Sequence, residues 1–306
     1  MMTVRFWGVR GSIPTPGANT VQVGGNTACI ELRYGSDEQL VIIDAGTGIR
    51  ELGDSLLRSR HSVGLHAYLF LTHTHWDHIM GFPFFAPIYA KGTSIDLYGP
   101  VTWEDESLRK VIGHQLSYQY FPVHSGELAA ALEFHELREE SVELPGGMIV
   151  RTKYLNHPVL CLGYRFEFEG RTVVTAYDTE PFRNLFPSDP SHPDYDPDVA
   201  AEGARAAEEE NARIRAFYRD ADLLIHDAQY TREEYLKRRT GWGHSSLEDA
   251  LDNAIAAAVR RLVLFHHDPE RGDDELESIL EGFRRTGAEH NLQVDLAKEG
   301  LTFTIE

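Results

Sequence analysis

Thr72-His73-Thr74-His75-Trp76-Asp77-His78 comes directly after the apolar run Tyr68-Leu69-Phe70-Leu71. The apolar run reads as a buried strand, and the seven residues beyond it as a loop crowded with donors. Imidazole and carboxylate together suit zinc, with manganese or iron as substitutes. His73, His75, Asp77 and His78 lie close enough in sequence to serve two metals rather than one. Two metals facing one pocket is a hydrolytic arrangement. A lone His-x-His is ordinary on an exposed strand or in a core hydrogen bond; the full pattern at the end of an apolar strand points to a metal site.

Outward from this stretch, strands alternate with helices. Residues 3–7, 26–34 and 40–43 read as strands, the last ending in Asp44-Ala45-Gly46-Thr47-Gly48 before a helical pattern at 49–58. Asp44 therefore lies at a strand end near the histidine loop. It is either a carboxylate that orients a ligand imidazole or a turn or helix-cap aspartate. Strands are expected at 148–155, 163–168 and 172–176, the last two joined by a hairpin at Glu169-Gly170. Residues 185–199, rich in Pro and Asp, read as a loop or lid inserted in a single domain spanning 1–306. A helix at 202–219, strand 223–225, helix 246–259, strand 262–265 and helix 274–285 come next, with a short terminal hairpin to Glu306. Two packed sheets covered by helices accommodate this order, giving an α/β class.

Composition narrows the partners. Lys and Arg number 29 against 48 Asp and Glu, a formal net charge of −19. That balance repels polyanions and removes the term that dominates nucleic-acid affinity, so no long tRNA or DNA partner is expected. A small anion is still admissible, because divalent cations reverse the field inside a pocket. Cys29 and Cys161 sit far apart in apolar runs, as buried free thiols do. The apolar stretches are too short to span a bilayer and the start Met1-Met2-Thr3-Val4-Arg5-Phe6-Trp7 lacks a signal-peptide core. A soluble, cytoplasmic protein without membrane contact is expected. Residues 103–121 and 185–199 either shape the pocket or form a homodimer contact.

More candidate donors recur at strand ends. His157 in Asn156-His157-Pro158 succeeds strand 148–155, Asp178 in Ala176-Tyr177-Asp178-Thr179 succeeds 172–176, and His266 and His267 succeed 262–265. Each alone is an ordinary cap or loop residue. A layered αβ fold gathers such ends on one edge, where it places its sites.

The series His73, His75, Asp77, His78, His157, Asp178 and His266 resembles the ligand set of the metallo-β-lactamase superfamily, over most of the chain. Asp222-Leu223-Leu224-Ile225-His226-Asp227-Ala228, then Gly243-His244-Ser245-Ser246 and Leu262-Val263-Leu264-Phe265-His266, are similar to the closing motifs of ribonuclease Z and its phosphodiesterase relatives. Phe6-Trp7-Gly8-Val9-Arg10-Gly11-Ser12 and Gly24-Gly25-Asn26-Thr27 resemble a bacterial group described as cyclic-nucleotide-phosphodiesterase-like. The resemblance implies a four-layer αβ/βα sandwich of two mixed sheets. It implies one metal on His73, His75 and His157, another on Asp77, His78 and His266, and Asp178 bridging them. His267 is the alternative last ligand. A hydroxide between the metals would be the nucleophile, with Asp77 steering or accepting its proton. Asp227 stands where ribonuclease Z commonly has glutamate. Ribonuclease Z also carries a tRNA-clamping arm between the counterparts of His157 and Asp178, where this sequence has room only for a hairpin.

A phosphodiester reaction needs charge stabilised on the non-bridging oxygens and help for a poor alkoxide leaving group, which His244 would supply. Ser245-Ser246-Leu247-Glu248-Asp249 carries Ser-x-x-acid spacing twice, a helix start whose free amides are expected to join His244 on the phosphate. Alternatively His244 belongs only to the turn around Gly241 and Gly243. Trp76 and Trp242 either stack a nucleobase or pack. The expected activity is a two-metal phosphodiesterase of small anionic phosphodiesters such as cyclic nucleotides. A carboxyl-ester or thioester hydrolase, a ribonuclease-type nuclease and a non-catalytic metal-binding sensor are the alternatives.

Overall fold

The computed structural model describes residues 1–58, 64–101 and 106–306. Its strands are β1 (Met2–Gly8), β2 (Cys29–Tyr34), β3 (Gln39–Ile43), β4 (His66–Phe70), β5 (Ser94–Pro100), β6 (Ala131–Leu137) and β7 (Ser141–Leu144). They continue with β8 (Met148–Leu155), β9 (Cys161–Phe168), β10 (Arg171–Ala176), β11 (Leu223–Asp227), β12 (Arg261–Phe265), β13 (Gln293–Leu296) and β14 (Thr302–Ile305). The helices are α1 (Ile49–Arg58), α2 (Trp76–Ile79), α3 (Leu108–Gln115), α4 (Pro197–Tyr218), α5 (Arg232–Glu234), α6 (Leu247–Ala256) and α7 (Asp273–Glu289).

Two mixed seven-stranded sheets result, ordered β14-β1-β2-β3-β4-β5-β6 and β13-β12-β11-β10-β9-β8-β7. Each is antiparallel on one side and parallel on the other, the change falling at β3–β4 in the first and β10–β11 in the second. The two-residue period of a strand sorts the side chains. Val41, Ile43, Tyr68 and Phe70 enter the core between the sheets, while Ile42 and Leu69 join Leu52 and Leu56 of α1 in a separate cluster. Both faces of β3 and β4 are thus covered, which is why their sequences are nearly continuous apolar runs. Phe70 stacks on Tyr98 of its own sheet with ring centroids 4.6 Å apart and meets the edges of Tyr164 and Phe166 of the other.

The turn Glu169-Gly170 has φ of 49° and 76°, the positive pair that a two-residue hairpin needs. Several boundaries differ from expectation. Strand β2 starts at Cys29, not residue 26, because Asn26 and Thr27 bond outside the ladder, to Glu299 and Thr47. Helix α4 begins at Pro197, within the expected loop 185–199, because the Asp196 carboxylate caps the amides of Asp198 and Val199. No terminal hairpin forms. Strand β13 lies parallel to β12 in the second sheet and β14 antiparallel to β1 in the first, since each completes a different open edge. Strands β5, β6 and β7 are additional to the sequence expectation. Of segment 103–121, residues 103–105 lie outside the described residues; α3 occupies part of the rest. No described helix is long and apolar enough to cross a membrane.

Candidate metal centre

The ends of β4, β8, β10, β11 and β12 bring the donors together. After β4 the chain is pinned from the opposite sheet: Tyr164 Oη donates to Leu71 O at 2.6 Å and Leu162 N to Thr72 O at 2.9 Å. This fixes where His73 and His75 leave the strand. Helix α2 then carries Asp77 and His78 inward, leaving Trp76 exposed.

Two donor groups form with one member in common. His73, His75, His157 and Asp178 offer atoms within 4.8 Å of one another, and so do Asp77, His78, Asp178 and His266. Asp178 Oδ2 lies 3.4 Å from His73 Nε2 and 3.2 Å from His78 Nε2, while its Oδ1 lies 3.2 Å from His266 Nε2. His157 Nε2 is 3.1 Å from His75 Nδ1, and His78 Nε2 is 3.3 Å from His266 Nε2.

His73 Nε2 and Asp178 Oδ1 are buried and make no hydrogen bond within the described residues, close as their neighbours are. Buried polar atoms are rarely left so. The electrostatics agree. Burial disfavours a charge on His78, yet Asp178, Asp77 and Asp44 raise its pKa well above the ordinary value, so the cluster draws a positive charge to itself. Burial drives His73 well below its ordinary pKa, helped by His78, and takes His157 down to about 4. Neutral imidazoles beside carboxylates are the donors a divalent cation takes.

The outer nitrogens of three histidines are held by the fold. Asp44 Oδ2 meets His78 Nδ1 at 2.7 Å, and the same carboxylate accepts from Thr72 N and Thr72 Oγ1. Gly243 O lies 2.9 Å from His157 Nδ1. Thr72 Oγ1 lies 3.1 Å from His73 Nδ1. Such partners set ring orientation and tautomer. Asp44, Asp178 and His266 each come after a strand with φ of 61°, 42° and 61°, a region that costs a non-glycine residue about 1–3 kcal/mol. The strand ends are bent to aim these side chains inward.

His267 is separated from the cluster: its Nε2 lies 2.9 Å from Ala297 O, and burial takes its pKa down to about 3. His266 alone of the pair joins the donors.

His244 stacks on His266 with ring centroids 4.9 Å apart, and its Nδ1 lies 3.1 Å from Asp227 Oδ2. Burial lowers its pKa, but the Asp227 charge and hydrogen bond, with Asp178 and Asp77, outweigh it and raise the value to about 9. Cations on the neighbouring donors would oppose that rise. Asp227, His244 and His266 also offer donor atoms within 4.8 Å of one another. Asp227 Oδ2, however, already accepts from Thr179 N and Ser245 N, which fits a pin for the His244 ring better than a third ion.

The expectation for Ser245, Ser246 and their helix start is not met. Ser245 N donates to Asp227 and Ser245 Oγ to Thr179 O at 2.6 Å. Ser246 Oγ caps the Asp249 amide and donates to Asp249 Oδ2, and Leu247 N donates to Tyr230 O at 2.7 Å. The two hydroxyls and the amides of Ser245, Leu247 and Asp249 are thus engaged inside the fold.

Other participants lie outside the donor motifs. Ser12, at φ of 64°, directs its amide to Asp77 Oδ2 at 2.7 Å, a role that sequence reasoning missed. A Cβ on Gly11 would fall 2.3 Å from His266 Cε1, and one on Gly243 2.2 Å from His157 Nδ1. Glycines flanking a donor motif are the available signal for this close approach. Trp242 is exposed beneath the Arg239 guanidinium, 4.5 Å from its ring centroid.

Two mixed sheets with a buried His and Asp cluster along one edge are the arrangement of the metallo-β-lactamase fold, with donors suited to divalent metal ions. A family model described as "Beta-lactamase superfamily domain" matches residues 39–189. Ribonuclease Z of Lactococcus lactis subsp. lactis (strain IL1403) is 30% identical over 233 residues, covering 65% of this chain and 69% of the relative. Among solved structures, the metallo-β-lactamase fold protein YhfI from Bacillus subtilis aligns with a TM-score of 0.65 at 18% identity, over 99% of this chain and 100% of the other. A diphosphatase from the PhnP family gives 0.62 at 19% identity, over 100% and 98%. The chain belongs to the metallo-β-lactamase superfamily, in its ribonuclease Z-like branch.

Proposed function

We propose that the protein is a two-metal phosphodiesterase acting on small nucleotidyl phosphodiesters, cyclic nucleotides among them. In this reading His73, His75 and His157 hold one divalent ion, Asp77, His78 and His266 a second, and Asp178 is shared. Zinc suits the donors first, then manganese or iron. When bound, such ions supply a water deprotonated near neutral pH and a Lewis acid for the phosphoryl oxygen.

The observation that carries the reading is the placement of His244. Its Nδ1 is committed to Asp227, which leaves Nε2 for substrate beside the donor cluster. From there it donates to a non-bridging oxygen or to the departing alkoxide, the two needs of phosphodiester cleavage. Asp77, held by the Ser12 amide, steers or accepts the proton of the attacking water. Trp76 and Trp242 are exposed and offer faces for a base. Hydrolysis of a carboxyl ester or thioester has less use for a second proton donor.

RNA cleavage is the second reading, favoured by the ribonuclease Z relative. Against it stand the net charge of −19 and the direct hairpin of β9 and β10 between His157 and Asp178.

The test is turnover by metal-quantified protein of bis(p-nitrophenyl) phosphate, 2′,3′- and 3′,5′-cyclic nucleotides, a tRNA precursor, lactones and thioesters, with Asp178→Ala as control. Cyclic-nucleotide cleavage lost in Asp178→Ala supports the proposal. Cleavage of the tRNA precursor alone transfers it to the RNA reading, and cleavage of esters alone to the carboxyl-ester class. Two bound metals without turnover of anything would indicate a sensor.

A further inference from the structure

Beside Tyr230, whose ring meets that of His244, lies a cavity of about 510 Å³ lined by the cations Lys237, Arg238, Arg239 and Arg271 and by the carboxylates Glu234, Asp268, Glu270 and Glu275. Lys237, Arg238 and Arg239 belong to a single π-helical turn, Tyr235–Arg239, a geometry frequent at functional sites. In a chain of charge −19, surface cations normally find carboxylates. Arg271 does, pairing with Glu234 and Glu275. Lys237, Arg238 and Arg239 have no carboxylate within 4.0 Å among the described residues.

Arg239 is also held in place. Its guanidinium lies 5.5 Å from the Tyr230 ring centroid and 4.5 Å from that of Trp242. Contacts with aromatic faces fix the plane of a guanidinium while leaving its N–H edge to bind an anion. Tyr230 in turn meets the edge of His244, with ring centroids 6.1 Å apart. The cavity therefore adjoins the proposed catalytic histidine through one ring.

We infer that this cavity is a subsite for a second phosphate of the substrate, one nucleoside removed from the scissile phosphodiester, held by Arg239 and Lys237. Asp268 and Glu270, which also line the cavity, disfavour an anion close to them, so the phosphate is expected beside the cations that carry no carboxylate partner. Among small phosphodiesters this selects a dinucleotide with a terminal phosphate over a mononucleotide cyclic ester. The inference rests on the phosphodiesterase reading and narrows its substrate.

The test compares a dinucleotide bearing a terminal 5′- or 3′-phosphate with the same dinucleotide lacking it. Kinetics are measured with metal-loaded wild type and the double variant Lys237→Gln/Arg239→Gln, and binding by calorimetry. The wild type is expected to show a KM on the order of tenfold lower for one of the phosphorylated forms, the worth of a charge-assisted contact. In the variant the ratio falls to about one. Equal KM values in the wild type, or a ratio unchanged in the variant, would overturn the inference. If no phosphodiester is cleaved at all, the phosphodiesterase reading has failed, and calorimetry decides separately. Binding of the phosphorylated dinucleotide that weakens in the variant sustains the subsite, and no preference for it removes the subsite. Retained metal content and thermal midpoint in the variant distinguish loss of the contact from loss of the fold.

Discussion

Asp44 and His78, 34 residues apart, meet at 2.7 Å through Oδ2 and Nδ1, both fully buried. The carboxylate sits at the end of β3 with φ of 61° and is held by the backbone and hydroxyl of Thr72, at the end of the neighbouring parallel strand. A strained residue on one strand thus orients a donor delivered by the next.

Asp44→Asn should leave the fold in place and weaken the ion on Asp77, His78 and His266. Such partners are typically worth about 10–100-fold in metal affinity. Competition titration with a chromophoric chelator measures it; unchanged affinity at both sites would refute the orienting role.

Removing the shared carboxylate should be more severe. Asp178→Ala is expected to lose turnover and at least one ion, since Asp178 belongs to both donor groups. Metal analysis after dialysis gives the stoichiometry, and far-UV circular dichroism verifies that the sheets persist. Two ions per chain in the variant would contradict the bridging position.

His244→Ala separates proton donation from metal binding. The expected result is a fall in kcat of about 10²–10⁴-fold, the usual contribution of a positioned acid or base, with both metals retained. Full phosphodiesterase activity in the variant would return His244 to a purely structural part in its turn.

Gly243→Ala probes close packing at the same place. The added methyl would fall 2.2 Å from His157 Nδ1, on a backbone with φ of 84°. A destabilisation of about 1–3 kcal/mol and a displaced His157 are expected. The readout is a denaturant midpoint together with affinity for the ion on His73, His75 and His157; a variant matching wild type in both would show that the loop yields freely.

Phe70→Ala tests the join between the sheets. Phe70 is fully buried against Tyr98, Tyr164 and Phe166, and a loss of about 3–5 kcal/mol is expected from chemical denaturation. A cost below about 1 kcal/mol would mean the ring is not a principal contact between them.

The succession of strand and donor is legible in the chain alone. Apolar runs mark buried strands by composition, and a histidine or aspartate just beyond one sits at a strand end whatever the neighbours are, as His73, His157, Asp178 and His266 do. The hairpin at Glu169-Gly170 and the Ser246 cap are legible too, because turn and cap chemistry is local. What each donor faces was settled in three dimensions. The parting of β13 and β14 into different sheets depends on which edges stand open, which no local pattern encodes. The choice of His266 over His267 depends on a backbone turned to φ of 61° and on Ala297, 30 residues from His267, holding the second ring. Ser245 looks available in the sequence because its partners, Asp227 and Thr179, reach it only once separate strands and loops have packed together. Propensity and spacing act over a few residues, whereas hydrogen-bond commitment and charge are settled between segments that meet only in the folded chain.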